Sequence, residues 1–314
     1  PYAYLWGHYR MFDQSVRGKF RAHLKNTVDL IQNRHWLSAY EMSEETMHSY
    51  FQELMIFKPK MLLGYTSSLC AFASYLKESK LPADELRLKL IVSTSEVLFD
   101  WQRKLLEDVF SASVANEYGS VEAGIMGYSC PEQRLHIMDE SVYLETIDAD
   151  GMPTNEVGEL IVTTLQNFRA PLIRYKTGDI GQILQRDCPC GRKLNILEPL
   201  YGRVLDMLVL PSGGYASPHL VAQILESFPN VTKMQIIQQE LNELQVYIVC
   251  RNVWDDTQDS FFKAEIRKRF GQDLRIIIQI VPHIENEGSG KFRWVKSKIY
   301  EKTQNSRTFD LIDK

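Results

Sequence analysis

Four short segments bring together side chains that carry charge or can stack on a ring. They are Asn116-Glu117-Tyr118-Gly119-Ser120-Val121-Glu122, Tyr175-Lys176-Thr177-Gly178-Asp179, Gly202-Arg203-Val204-Leu205-Asp206 and Gly288-Ser289-Gly290-Lys291. Taken singly, each has an ordinary reading: Tyr118 as a core or turn aromatic, Asp179 as a turn residue after Gly178, Arg203 as a surface charge, Lys291 as a solvated loop lysine. No Ser-His-Asp or Cys-His set occurs in a recognisable spacing, so these segments offer positioning and charge, not a covalent nucleophile. A separate group, Cys130, His136, Cys188 and Cys190, supplies three thiolates and one imidazole, the ligand set of a structural tetrahedral Zn2+ site. Its Cys-x-Cys spacing is tighter than the usual zinc knuckle. The alternative is ordinary reduced thiols on a turn, with His136 in a strand between Leu135 and Ile137.

In this order and at these distances, the four segments resemble the adenylate-forming superfamily of acyl-CoA synthetases, peptide-synthetase adenylation domains and luciferases. Within it the chain looks most like phenylacetate-CoA ligases and their relatives in capsular polysaccharide biosynthesis. Family-like details are Val-Ser-Thr-Ser-Glu-Val-Leu at 92–98, Pro171-Leu172-Ile173-Arg174-Tyr175, Cys188-Pro189-Cys190-Gly191-Arg192 and Gly290-Lys291-Phe292, and the resemblance covers roughly 58–298. It implies activation of a carboxylic acid by ATP as an acyl-AMP, followed by transfer to CoA.

The resemblance also implies residue roles. Tyr118 would stack on the adenine of ATP or AMP, with Ser95, Glu96 and Val97 as another wall, inside a nucleotide-binding segment that includes Glu117, Gly119 and Ser120. Glu122 would hold Mg2+, because a hard cation takes carboxylate oxygen and can bridge phosphates. Asp179 would accept hydrogen bonds from the ribose hydroxyls, and Arg203 would donate near the ribose and α-phosphate. Lys291 would swing in as a mobile positive charge on the α-phosphate oxygens, the catalytic lysine beside Glu122. Residues 64–68 and 119–124 would line the acid pocket. A small C-terminal domain would rotate about a hinge after Gly202-Arg203; the acidic residue often found two positions after the arginine is here Leu205, with Asp206 next.

Superfamily members carry a Gly-rich Ser/Thr loop around the β- and γ-phosphates, upstream of these motifs. The nearest candidates, Tyr65-Thr66-Ser67-Ser68 and Ser93-Thr94-Ser95, lack the glycines that let backbone N–H groups converge on phosphate. Together with a first residue Pro1, this leads to the expectation of an N-terminally truncated enzyme that is poor at adenylation alone. Two other readings stay open: an adenylate-forming transferase in capsular polysaccharide biosynthesis, and a non-catalytic nucleotide- or partner-binding remnant.

The elements that must position these residues follow from periodicity. Met47, Tyr50, Phe51 and Leu54 recur at helical spacing across 43–57, and Leu69, Phe72, Ala73 and Leu76 do so after a Gly64-Tyr65 break. A strand at 88–92, a helix at 100–110 with Trp101, Leu105 and Val109 inward, and a strand at 113–117 predict an α/β sheet with crossover helices. Strands at 142–147 and 159–164 predict an antiparallel β subdomain. A hairpin around 211–214, a strand at 244–249, a helix at 259–270 and a strand at 274–281 predict a small α+β domain. The division expected is 1–204, a partial N-terminal adenylation domain with its β subdomain, and 205–314, a small mobile domain. Residues 1–36 are aromatic-rich without a clear period, and the polar tail from Thr303 reads as loosely held.

Composition limits the class. The 314 residues are 44% hydrophobic and 24% charged, and the net charge of −4 arises from 36 basic and 40 acidic side chains without long runs of one sign. A nucleic-acid or membrane-surface partner is not expected. No apolar run of about 18 residues occurs, the first ten residues lack a secretory layout, and five cysteines are too few for a disulfide framework, so a soluble cytoplasmic protein is expected. Its expected partners are a small-molecule carboxylic acid, a nucleotide and a second copy of the chain in a homodimer.

Overall fold

The structure is a computed structural model that describes residues 1–7, 28–29, 31–40, 42–148, 150–203, 206–211, 215–216, 221, 224–225, 227–287 and 291–299. The hinge positions 204–205, the glycines of the 288–290 loop and the tail from 303 lie outside the described residues. The described backbone forms two compact units. One comprises 1–119, 127–135 and 287–291; the other comprises 120–126, 136–286 and the residues from 292 onward.

The first unit begins with strands β1 (Tyr2–Trp6) and β2 (Arg34–Ser38), helix α1 (Glu44–Phe57), strand β3 (Met61–Tyr65), helix α2 (Thr66–Glu78), strand β4 (Leu90–Thr94), helix α3 (Asp100–Phe110) and strand β5 (Ser113–Ser120). The strands pair in parallel, in the order β2-β1-β3-β4-β5. Each parallel connection needs a crossover, and α1, α2 and α3 supply those from β2 to β3, β3 to β4 and β4 to β5. Ser43 caps α1 by accepting a hydrogen bond from the Thr46 N–H, and the helix buries Met47, Tyr50, Phe51 and Leu54, the face its spacing predicts. Helix α2 likewise buries Leu69, Phe72, Ala73 and Leu76. These side chains meet Ala3, Leu5, Leu62, Ile91, Leu106 and Phe110 in one core.

The Gly64-Tyr65 break between the two helices is the end of β3, where Gly64 pairs with Leu5 of β1. Two expectations are corrected here. The strand expected at 88–92 lies two residues later, at β4. Helix α3 has the expected bounds but buries Gln102, Arg103, Leu106 and Phe110, whereas Trp101, Leu105 and Val109 are only partly covered. The rotation is possible because both buried polar groups are satisfied. Gln102 Oε1 accepts from the Phe99 N–H at 3.1 Å and Arg103 Nη1 donates to the Val114 carbonyl at 2.7 Å.

Strands β6 (Gly124–Ser129) and β7 (Leu135–Ile137) follow. The second unit then carries β8 (Val142–Ile147), β9 (Gly158–Thr164), β10 (Tyr175–Leu184) and β11 (Ile196–Arg203), all antiparallel neighbours in that order, which is the β subdomain expected. Gly158 is required where β9 passes β8, because a β-carbon there would overlap the Ile147 carbonyl. Gly158→Ala is therefore expected to destabilise the protein by about 2–3 kcal/mol through overpacking against backbone that cannot yield. A denaturant midpoint matching the parent would rule this out.

Beyond β11, the short hairpin of β12 (Leu208–Val209) and β13 (Tyr215–Ala216) matches the one read from the sequence. A four-stranded sheet follows, built from β14 (Val231–Glu240), β15 (Glu243–Cys250), β16 (Arg275–Ile280) and β17 (Val295–Ser297), with helix α4 (Asp256–Phe270) between β15 and β16. Its order is β16-β15-β14-β17, antiparallel at the centre and parallel at both edges. Helix α4 starts three residues before the expected position because Asp255 caps it, accepting from the Gln258 N–H while Gln258 reaches back. Phe262, Ile266 and Phe270 pack into a core with Leu208, Ile236, Val246 and Ile276. Among the described residues, no helix is long and apolar enough to cross a membrane.

Candidate functional site

The C-terminal ends of parallel strands are where an open α/β sheet leaves room for ligands, since the chain must turn there into its crossover. Two predicted segments occupy this position in the first unit. Ser95, Glu96 and Val97 leave the end of β4, and Glu117, Tyr118 and Gly119 end β5, with Thr94 opposite Glu117 in the ladder. Ser95 adopts φ 70°, a left-handed conformation that a non-glycine residue holds only where its surroundings enforce it.

The enforcement is visible next door. The Glu96 carboxylate accepts from the Ser67 N–H at 2.7 Å and from Ser67 Oγ at 2.9 Å, so it caps the N-terminus of α2. Thr66 Oγ1 lies 2.6 Å from Ser93 Oγ and donates to the Glu96 carbonyl at 3.3 Å. Thr66, Ser67 and Ser93, which lack the glycines of a phosphate loop, thus stitch the β3 and β4 ends together. The Glu117 carboxylate is also engaged, accepting from Thr94 Oγ1 at 2.9 Å and from the Tyr128 hydroxyl at 2.5 Å. Burial, reinforced by this bond to Glu117, pushes the Tyr128 phenol well above its ordinary pKa and keeps it a donor. Tyr118 follows Glu117 and is 8% exposed. Tyr128 was not singled out in the sequence, where a tyrosine after glycine in a short strand carries no distinguishing pattern.

In the second unit, Ser120 and Glu122 flank the turn after β5, where Ser120 Oγ accepts from the Ala123 N–H at 3.0 Å and Glu122 is exposed. Asp179 on β10 and Arg203 on β11 are direct partners in an antiparallel ladder, although 24 positions separate them in the sequence. The Asp179 N–H is held by Thr177 Oγ1 at 3.1 Å, and Thr177 Oγ1 itself donates to the Leu160 carbonyl at 3.0 Å. This makes the Thr177-Gly178-Asp179 irregularity within β10, with Gly178 at φ 75°, a rigid mount for the aspartate.

Lys291 is half-buried, and its carbonyl accepts from the Glu287 N–H at 2.8 Å. Lys233 of β14 holds the neighbouring residues 284, 286 and 292. Its Nζ donates to the Ile284 carbonyl at 2.6 Å and to Asn286 Oδ1 at 2.8 Å, and it lies 4.4 Å from the centre of the Phe292 ring. Arg293 pairs with Asp206 at 2.6 Å, linking the segment after Lys291 to the residue after the expected hinge. Neither Lys233 nor the Asp206–Arg293 pair had a sequence signal, because one lysine within a strand and two charges 87 positions apart look like solvated surface.

The model of the CapK C-terminal domain family matches residues 208–298. Protein CapK of Staphylococcus aureus is 27% identical over 271 residues, 85% of this chain and 59% of CapK. A phenylacetate-coenzyme A ligase of Thermus thermophilus is 30% identical over 182 residues, 56% of this chain and 41% of that enzyme. The chain therefore spans about three fifths or less of these relatives. Among solved structures, a 2-hydroxyisobutyryl-CoA ligase bound to an acyl-AMP matches with a TM-score of 0.71 at 17% identity, over 86% of this chain and 61% of that one, a likeness of fold. By sequence the chain is thus similar to CapK and to the phenylacetate-CoA ligases, with residues 208–298 matching the CapK C-terminal domain family, and its fold is that of acyl-CoA ligases.

Proposed function

We propose that this chain carries the adenine-, ribose- and lysine-bearing part of an enzyme that activates a carboxylic acid with ATP and passes the acyl group to CoA. The observation that carries the reading is the ladder pairing of Asp179 with Arg203, which brings an acceptor for ribose hydroxyls beside a guanidinium donor. The Ser95–Val97 and Glu117–Tyr118 segments at the ends of β4 and β5 support it as an adenine pocket.

In the first step, a carboxylate oxygen of the acid attacks the α-phosphorus of ATP, the bond to the β-phosphate oxygen breaks, and pyrophosphate leaves. In the second, the CoA thiol attacks the acyl carbon, releasing AMP and a proton. Both reactants of the first step are anions, so the protein's task is to hold them together and to offset charge. Tyr118 would pack against the adenine, Asp179 and Arg203 would fix the ribose and α-phosphate, and Lys291 would neutralise the phosphate oxygens. Glu117, already bonded to Thr94 and Tyr128, would fix the end of β5 that carries Tyr118. Mg2+ fits the exposed Glu122 carboxylate by ligand chemistry and would neutralise phosphate charge when bound. Residues 205–314 would move as the small domain about 204–205.

The match of residues 208–298 to the CapK C-terminal domain favours a second reading, transfer of the acyl group from AMP to an acceptor in polysaccharide synthesis. ATP–pyrophosphate exchange across a panel of carboxylic acids tests both, run on the longest reading frame that contains this chain. Acid-dependent exchange is expected. Product that forms only with CoA supports the ligase; product without CoA supports the transferase; no exchange with any acid, in protein that binds AMP, supports a non-catalytic nucleotide-binding role.

A further inference from the structure

Two tight turns hold four metal-binding side chains that the acid-activating chemistry does not use. In the first turn the Cys130 N–H donates to the Arg134 carbonyl at 2.9 Å and the Gln133 N–H to the Cys130 carbonyl at 2.8 Å, and the chain then runs directly into β7, which carries His136. In the second, Cys188-Pro189-Cys190-Gly191, the Gly191 N–H donates to the Cys188 carbonyl at 2.9 Å and Gly191 takes φ 84°. Proline at the second position and glycine at the fourth suit such a turn. The ligand atoms of Cys130, His136, Cys188 and Cys190 all lie within 4.8 Å of one another.

We propose that these four residues bind a structural zinc ion that fastens β7 to β11. The distances fit the metal. With Zn–S near 2.3 Å and Zn–N near 2.0–2.1 Å, a tetrahedral ion places sulfur and nitrogen ligands about 3.6 Å apart and two sulfurs about 3.8 Å apart. Cys190 Sγ and His136 Nε2 are 3.4 Å apart. His136 is 2% exposed, and its Nδ1 lies 3.2 Å from the Leu194 carbonyl, which fixes the tautomer with a proton on Nδ1 and a lone pair on Nε2. That second bond is the usual support of a metal-bound imidazole. Three thiolates on Zn2+ leave one net negative charge, and Arg192 Nη1 stands 3.8 Å from Cys190 Sγ to offset it.

The location gives the ion a task. The ladder between β7 and β11 has a single registered pair, His136 with Ile196, supplemented by the Ile137 N–H to the Asn195 carbonyl at 2.9 Å. A pairing that short is weak alone, and a metal joining Cys130 and His136 to the Cys188–Cys190 turn that precedes β11 reinforces it. All four ligands are protein side chains, so the site is closed, as structural zinc sites are, and serves no substrate.

The test uses the whole chain, purified from zinc-supplemented cells. One zinc per chain by elemental analysis is expected, along with full retention in Cys250→Ser and loss in the Cys188→Ser/Cys190→Ser double variant. Because that double variant could misfold, the parent is also stripped of metal and titrated with Co2+. Thiolate-to-cobalt charge transfer and the intense visible bands of tetrahedral cobalt, saturating at one equivalent, are expected. Parent protein that holds less than about a tenth of an equivalent of zinc, or cobalt bound with only weak octahedral bands, would overturn the proposal.

Discussion

Replacing Lys291 by alanine is expected to lower acyl-AMP formation by about 10²–10³-fold, while thioester formation from preformed acyl-AMP and CoA stays near the parent rate. The magnitude is that of removing one preorganised charge from a site where negative charge develops in the transition state. The asymmetry between the half-reactions follows from the charge account. A carboxylate approaching the triphosphate needs a cation between them, whereas a thiol attacking the acyl carbon of an acyl-AMP meets no second phosphate anion on the reacting carbon. Lys291 is held at its backbone by the bond from the Glu287 N–H, and Lys233 fixes Ile284, Asn286 and Phe292 in the flanking sequence. Separate rates for the two steps check the prediction, using radiolabelled pyrophosphate for one and synthetic acyl-AMP for the other. An unchanged rate of acyl-AMP formation would remove Lys291 from the reaction, and an equal loss in both steps would make it a general support of the fold.

How much of this was legible in the sequence depended on whether burial followed a period. Helices α1 and α2 bury one apolar stripe each, so Met47, Tyr50, Phe51 and Leu54, and then Leu69, Phe72, Ala73 and Leu76, could be named in advance. Strand β1 reads Tyr-Ala-Tyr-Leu-Trp, with Ala3 and Leu5 buried and Tyr4 stacked on Trp36 on the other face. Both faces are apolar, and the alternation that marks a strand vanishes. Helix α3 misled for the opposite reason, because its inward side includes Gln102 and Arg103. Strand β14 was missed as well, since it buries Gln235 and Gln238 among lysine, threonine and glutamine neighbours. Polar side chains with internal partners defeat a hydrophobicity pattern, and those partners are visible only in three dimensions.

The site followed the same division. Residue types and order were readable, because each motif is local. Pairings that cross the sequence were not, including Asp179 opposite Arg203, Glu117 under Thr94 and Tyr128, and Asp206 with Arg293. The Cys and His ligand types could be named, but the convergence of two turns some 50 residues apart needed the register of β7 on β11.

Gln238 is the clearest of these hidden partners, and Gln238→Leu is expected to destabilise the protein by about 3–5 kcal/mol. The side chain is 1% exposed, and its amide completes a short strand that cannot complete itself. Its Oε1 accepts from the Val209 N–H at 2.9 Å and from Ser297 Oγ at 2.8 Å, while its Nε2 donates to the Val209 carbonyl at 2.7 Å. One amide thus mimics a neighbouring strand for β12 and joins β14 to β17. Leucine has nearly the same volume, so no cavity opens, but a buried N–H, carbonyl and hydroxyl lose partners at about 1–3 kcal/mol each, partly recovered by relaxation. The Ser297→Ala variant, which removes one arm only, is expected to cost about 1 kcal/mol. Urea midpoints of the parent and both variants decide the matter, and amide exchange at Val209 locates the effect. If Gln238→Leu unfolds with the parent's midpoint and Val209 remains protected, the amide is not what holds β12 in place.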